Sequence, residues 1–194
     1  MFATCALVLL CLIPLSCSAP LTCEDLVRPL DHLDPHHLEG RWALVAGGLS
    51  DPGLQEFFKR RNSSSINFSS AHAASSFSYT PSVDAGGKCH YKSYNISLEG
   101  SVLTFDVLDQ VNLTVTFLFT SCPDCLVMRY DNISGKTERV FLFSRRRKVD
   151  LDEMEEFRAQ AECLKMLPPA VMDHTKELCP EQNSDNHRLL TKTQ

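Results

Sequence analysis

The chain has 194 residues, a formal net charge of −5 and 43% hydrophobic residues, enough for one ordinary domain with length to spare at both ends. A sequence pI near 5.8 excludes a general nucleic-acid binder, and a mean hydropathy of −0.13 excludes a multi-span membrane protein. Charged residues at 22% also exclude a disordered or fibrous chain.

The N-terminal stretch carries no charged side chain before Glu24: an apolar run from Ala6 to Leu15 is followed by the small residues Ser16, Cys17, Ser18 and Ala19. An apolar run of about ten residues is too short to span a bilayer, so residues 1–19 read as a secretory signal peptide. No later run approaches about 18 apolar residues, which leaves the mature chain without a transmembrane segment. Removing the leader takes Cys5, Cys11 and Cys17 from the nine cysteines and leaves Cys23, Cys89, Cys122, Cys125, Cys163 and Cys179. An even set in an oxidising compartment predicts three disulfides, with their pairing open at this point. Five Asn-x-Ser/Thr acceptors, at Asn62, Asn67, Asn95, Asn112 and Asn132, also point to export. A glycosylated asparagine faces solvent, so its strand neighbours face the other way.

From Gly40 to Ser144 short apolar or alternating runs are broken by turn residues. They predict strands at Trp42–Gly48, Ser65–His72, Ser75–Thr80, Lys88–Ile96, Ser101–Val107, Leu113–Ser121, Cys125–Asp131 and Arg139–Phe143. Eight strands at this spacing, with no helices between them, predict an all-β antiparallel sandwich or barrel. The longer connection from Asp51 to Asn62 contains Leu54, Phe57 and Phe58 and predicts a short helix. The clearest alternation sets Leu113, Val115, Phe117 and Phe119 on one face and Thr114, Thr116 and Thr120 on the other, with Asn112 in the threonine phase. The same test turns Ile66 and Phe68 inward against Asn67, and Lys92, Tyr94 and Ile96 inward against Asn95. A lysine on an inner face is either a strut or a ligand contact.

After the last strand come Arg145, Arg146, Arg147 and Lys148, then Asp150 and Glu153 in capping-box spacing. Leu151, Met154, Phe157, Ala161 and Leu164 recur at helical spacing, which predicts a helix docked outside the sheet. Pro168 and Pro169 end it, residues 20–180 form the folded domain, and 181–194 read as a polar, disordered tail.

At this point the chain resembles the lipocalins. Gly40-Arg41-Trp42 matches the Gly-x-Trp that opens their first strand, and Phe143-Ser144-Arg145 resembles the arginine region that ends their last one. The resemblance spans Cys23 to Cys179. It implies an eight-stranded antiparallel up-and-down barrel with a C-terminal helix packed outside, closed at the floor by Trp42 with Arg145 across its ring. The nearest likeness is to the branch of alpha-1-acid glycoprotein and apolipoprotein M, with the fish tributyltin- and saxitoxin-binding plasma proteins. The cysteine pattern of that branch pairs Cys23 with Cys163 and Cys89 with Cys179, leaving Cys122 to Cys125. Lys92 and Tyr94 fall where that branch contacts a lipid headgroup.

The competing chemistries are weaker. Cys122-x-x-Cys125 lacks the βαβ context of a redox site and a second ligand pair for zinc, so a turn disulfide is expected. His32, His36 and His37 read as surface residues in a Pro/Asp-rich segment, and no metal or other cofactor is expected. Residues 145–148 read as a solvated cluster beginning with one structural arginine. No nucleophile elbow, His-Glu-x-x-His or phosphate loop is present. The resemblance allows a free barrel cysteine as a catalyst, but no cysteine lies between Ile66 and His72, so an enzyme is not expected. A secreted plasma carrier of a small hydrophobic or amphipathic ligand is the expected function. Its cavity would be lined by Ile66, Phe68, Phe77, Tyr79, Lys92, Tyr94, Phe105, Val115, Phe117 and Phe119. A lipoprotein particle or a receptor engaged through the outer surface are the alternative partners.

Overall fold

The computed structural model describes residues 21–70, 77–106 and 112–182. The predicted signal peptide at 1–19, residues 183–194 of the tail, the predicted strand ends at 71–72 and 75–76, and Val107 lie outside these residues.

The chain begins with two four-residue helices, α1 (Cys23–Leu26) and α2 (Pro35–Leu38), which the strand pattern does not predict. There follow β1 (Gly40–Leu49), α3 (Pro52–Lys59), β2 (Arg61–Ser70), β3 (Phe77–Ala85), β4 (Lys88–Tyr91), β5 (Tyr94–Glu99), β6 (Val102–Phe105), β7 (Leu113–Leu118), β8 (Cys125–Asn132), β9 (Thr137–Ser144), α4 (Leu151–Cys163) and β10 (Ala170–Val171). β1 pairs antiparallel with β2 on one side and β9 on the other, so the sheet closes on itself. β4 and β5 both pair with β3 and together supply the fourth of eight barrel strands. The result is the closed up-and-down barrel with an external helix that the sequence predicts. β10 is a short addition against the outside of β1.

Two strand boundaries differ from expectation. Pro81 does not end the third strand but sits inside β3, opposite Ile66. Its carbonyl accepts from the Lys92 N–H at 3.3 Å. The N–H that proline lacks would point to the same side, where the neighbouring strand is interrupted. That interruption, at Lys92 and Ser93, splits the predicted strand Lys88–Ile96 into β4 and β5.

The apolar residues form two cores, separated by the sheet. Inside the barrel, Trp42, Ile66, Phe68, Val115, Phe117, Met128 and Phe143 belong to one cluster. Outside it, Val45, Ala46, Val127, Val140 and Leu142 pack under Met154, Phe157 and Ala161 of α4. A register shift between Leu44 and Ala46 lets Val45 and Ala46 both serve the outer core. Gly47 is needed for close approach: a Cβ there would lie 2.6 Å from Phe58 and 2.7 Å from Phe141. These two rings stack at 5.4 Å and seat α3 over the open end.

α4 docks through Met154, Phe157, Gln160 and Ala161, all buried. The buried Gln160 amide donates to Leu26 O and Phe119 O, tying the N-terminal segment and the end of β7 to the helix. Leu151 departs from the predicted stripe: it is 72% exposed. The first turn is held by Glu153, which pairs with Arg146 at 2.7 Å, rather than by apolar burial. Three disulfides fasten the ends: Cys23–Cys163 joins α1 to α4, Cys89–Cys179 joins β4 to the C-terminal segment, and Cys122–Cys125 closes the turn before β8. Among the described residues, no helix is long and apolar enough to cross a membrane.

Candidate ligand-binding site

The floor is built first by the chain. Trp42 is fully buried, and its indole N–H donates to Leu38 O at 2.8 Å. The Arg145 guanidinium lies 3.8 Å from the centroid of that ring. Its N–H groups donate to Arg41 O, His37 O and Glu39 O at 3.1, 2.8 and 2.6 Å. A positive φ of 91° at Gly40 keeps the strand entry clear of Arg145, to which a Cβ would approach within 3.1 Å. Burial pulls the Arg145 guanidinium below its usual value. The N-terminal segment runs along the same end, with Leu30 N–H donating to Phe117 O and Phe119 N–H to Arg28 O.

Above this floor the barrel holds a cavity of about 280 Å³, near the lower limit for small-molecule sites. Leu44, Ile66, Tyr79, Tyr94, Phe105 and Phe143 supply much of its wall. Tyr79, Tyr94 and Phe105 form a ring triad with centroids 5.3–6.1 Å apart. Polar groups are few and placed on different strands: Arg61 opens β2, Arg139 lies on β9, and the Tyr79 and Tyr130 hydroxyls meet at 3.2 Å. Burial pushes both phenols above the ordinary tyrosine range, so each keeps its proton at neutral pH. Burial, and next the charge of Arg139, holds the Arg61 guanidinium below its usual value.

The ten residues proposed as lining separate into groups. Ile66, Tyr79, Tyr94 and Phe105 line the cavity. Phe68, Val115 and Phe117 are buried in the interior cluster but do not line it, and half-buried Phe77 packs on that cluster. Lys92 is exposed in the break between β4 and β5, with its ammonium 4.8 Å from the Tyr94 ring centroid. Phe119 lies past the end of β7 with the Arg28 guanidinium 3.9 Å above its ring. Sequence reasoning missed Arg61, Tyr130 and Arg139. The signal was present for two of them: Arg139 shares its phase with Phe141 and Phe143, and Tyr130 shares its phase with Met128.

The other candidates resolve on contact. Cys122, Asp124 and Cys125 form the one possible metal grouping among the described residues, but both sulfurs are spent in a disulfide. His37 packs against Trp42 with the rings tilted and their centroids 5.5 Å apart, and exposed His36 lies 3.9 Å from Glu39. Of the basic run, Arg146 as well as Arg145 is structural: it pairs with Asp124 at 2.7 Å and with Glu153, and these bonds raise its pKa. Asn95 and Asn112 are exposed, whereas Asn62, Asn67 and Asn132 are half-buried. Asn67 opens into a polar groove on the outer face of β2 and β3.

No protein-family model and no curated protein matches the chain. Among solved structures it is similar to the siderocalin Ex-FABP, which functions through dual ligand specificities, with a TM-score of 0.62 and 16% identity over 76% of this chain and 97% of that one. It is also similar to the siderocalin Q83, which has a dual ligand binding mode, with a TM-score of 0.63 and 15% identity over 77% of this chain and 96% of that one. At this level of identity the likeness establishes the fold: the chain is a lipocalin-type barrel.

Proposed function

We propose that the chain is a secreted glycoprotein that carries a small hydrophobic or amphipathic molecule in its barrel, as a plasma lipocalin of the alpha-1-acid glycoprotein and apolipoprotein M branch. The observation that carries this reading is the interior cavity, walled by aromatic and aliphatic side chains from most of the barrel strands and held open above a sealed floor. Burial of apolar ligand surface there would contribute about 25 cal/mol per Å². The leader over residues 1–19, the five glycan acceptors and the three disulfides support an extracellular carrier of this kind. Siderocalins of the same fold bind ligands, which supports the reading from outside the chain. A fluorescent apolar amine, N-phenyl-1-naphthylamine, tests it. The wild-type protein should bind the probe at one site, and Ile66→Arg should abolish that binding. Absence of saturable binding by the wild-type protein would sink the carrier reading.

A second reading, carriage of a sphingolipid on a lipoprotein particle, draws on the loops at the open end. There Leu54, Phe57 and Ile133 are 49%, 62% and 84% exposed, an apolar edge suited to a lipid surface. Flotation of plasma separates the two, since a free carrier stays with the soluble proteins. Association with a receptor through the outer surface would instead survive Ile66→Arg.

A further inference from the structure

The outer face of β2 and β3 carries a groove of about 300 Å³, the size at which small-molecule sites begin. Its lining is short and rich in hydroxyls: Ser65 and Ser69 on β2, Thr80 and Ser82 on β3, and Ser93 in the break before β5. An outer sheet face needs only polarity, which lysine or glutamate would supply while filling the space. Here short side chains leave depth instead. Ser65 and Ser82 are buried although they share the outward phase of Asn67.

The hydroxyls meet in pairs, Ser65 with Ser82 at 2.8 Å and Thr80 with Ser93 at 3.0 Å. A hydroxyl has one donor and two acceptor sites, so such pairs keep acceptor capacity for a partner that brings O–H and N–H groups. The C-terminal segment forms the rim: the Tyr91 hydroxyl donates to Pro180 O at 2.8 Å, and Arg41 donates to Cys179 O and to Ser65. The two charged lining residues, Arg41 and Glu181, lie 3.9 Å apart, so the groove offers no uncompensated charge to an ion.

Asn67 stands among these residues, across from Arg41 on β1 and Thr80 on β3. Its side chain makes no hydrogen bond to any described residue. It is also the acceptor of the motif Asn67-Phe68-Ser69. The other two half-buried acceptors are engaged. The Asn62 amide donates to Asp84 at 3.3 Å, while Asn132 accepts from Ser134 and Lys136 and donates to Glu138.

We propose that the groove is the seat of a glycan on Asn67, whose first N-acetylglucosamine lies against the hydroxyl pairs and holds residues 180–182 to the barrel wall. A pyranose offers hydroxyls at its edge and C–H groups on its face, which suits serines beside Tyr91 and Pro180. Glycan transfer precedes folding, so half-burial of Asn67 in the finished barrel does not prevent it. This assignment rests on the reading of the chain as a secreted glycoprotein and gives one of its five glycan acceptors a structural role.

Endoglycosidase H, applied to native protein secreted with high-mannose glycans and followed site by site by mass spectrometry, tests it. The Asn67 glycan should be cut more slowly than those on exposed Asn95 and Asn112 by about tenfold, the factor that one net hydrogen bond supplies. After denaturation the sites should be cut alike. Ser69→Ala removes the acceptor motif but keeps Asn67, and should speed cleavage after Glu181 by glutamyl endopeptidase severalfold. Ser69→Thr keeps the motif and should match the wild type. An empty Asn67 beside occupied acceptors elsewhere, or equal cutting at all sites in the native protein, overturns the proposal and leaves the glycoprotein reading standing. So does cleavage after Glu181 that Ser69→Ala leaves unchanged. Absence of glycan at every acceptor removes the glycoprotein reading itself. The native wild-type comparison needs no variant, so it decides the matter even where Ser69→Ala does not fold.

Discussion

Arg139 and Arg145 lie near opposite ends of β9, and their surroundings differ in kind. Each covers an aromatic ring, Tyr130 in one case and Trp42 in the other. At the floor the N–H edge of Arg145 is used up by three backbone carbonyls. In the cavity the Nε of Arg139 is buried without a hydrogen-bond partner. The same residue type therefore closes one end of the barrel and leaves the other end chemically unfinished. A structural cation is recognised by what its donors touch.

This contrast can be broken by substitution. The largest effect should come from Trp42→Ala, which empties the floor and should cost about 3–5 kcal/mol in denaturant unfolding. Arg145→Met should follow, at about 1–3 kcal/mol, because it removes three hydrogen bonds to backbone carbonyls and uncovers the indole. Arg139→Met should go the other way, leaving stability unchanged or raising it by about 1 kcal/mol, since a half-buried guanidinium with no ion pair among the described residues is replaced by apolar volume. A loss of stability at Arg139 as large as at Arg145 would erase the distinction between the two ends. The smallest effect concerns pH. Burial holds the Tyr79 and Tyr130 phenols above the ordinary tyrosine range when folded. The unfolded chain therefore releases these protons first, so their contribution is intact below about pH 10 and is lost as the pH rises beyond it. Unfolding midpoints at pH 8 and pH 11 should diverge less in Tyr79→Phe than in the wild type.

Much of the barrel was legible because each strand obeys a period of two. Asn67 faces out while Ile66 and Phe68 face in, and Val115 and Phe117 are buried as their alternation with threonine requires. The run stops at its end, where Phe119 leaves the strand for Arg28. Parity was legible at Lys92 as well, yet the residue falls in a strand break created by Pro81 on the adjacent strand. A proline's effect on a neighbour appears only once the register is known. Arg61 and Arg139 escaped for another reason. Charged residues at strand ends read as solvated, and nothing local reveals that the two ends meet across a cavity.

The sequence by itself determined the strand count, the floor residues Trp42 and Arg145, the external helix and an even set of cysteines beyond residue 19. The strands, the helix and the cysteine set are written in spacing along the chain, whereas the floor roles of Trp42 and Arg145 come from the lipocalin resemblance. Only the tertiary structure decided that Arg61 from β2 and Arg139 from β9 share one cavity with Tyr79 and Tyr130. It also decided that neither makes an ion pair among the described residues, while Arg146, past the other end of β9, is neutralised by Asp124 and Glu153. Whether a cation is paired depends on which carboxylates the closed barrel brings within reach, and that distance is not a property of any one segment.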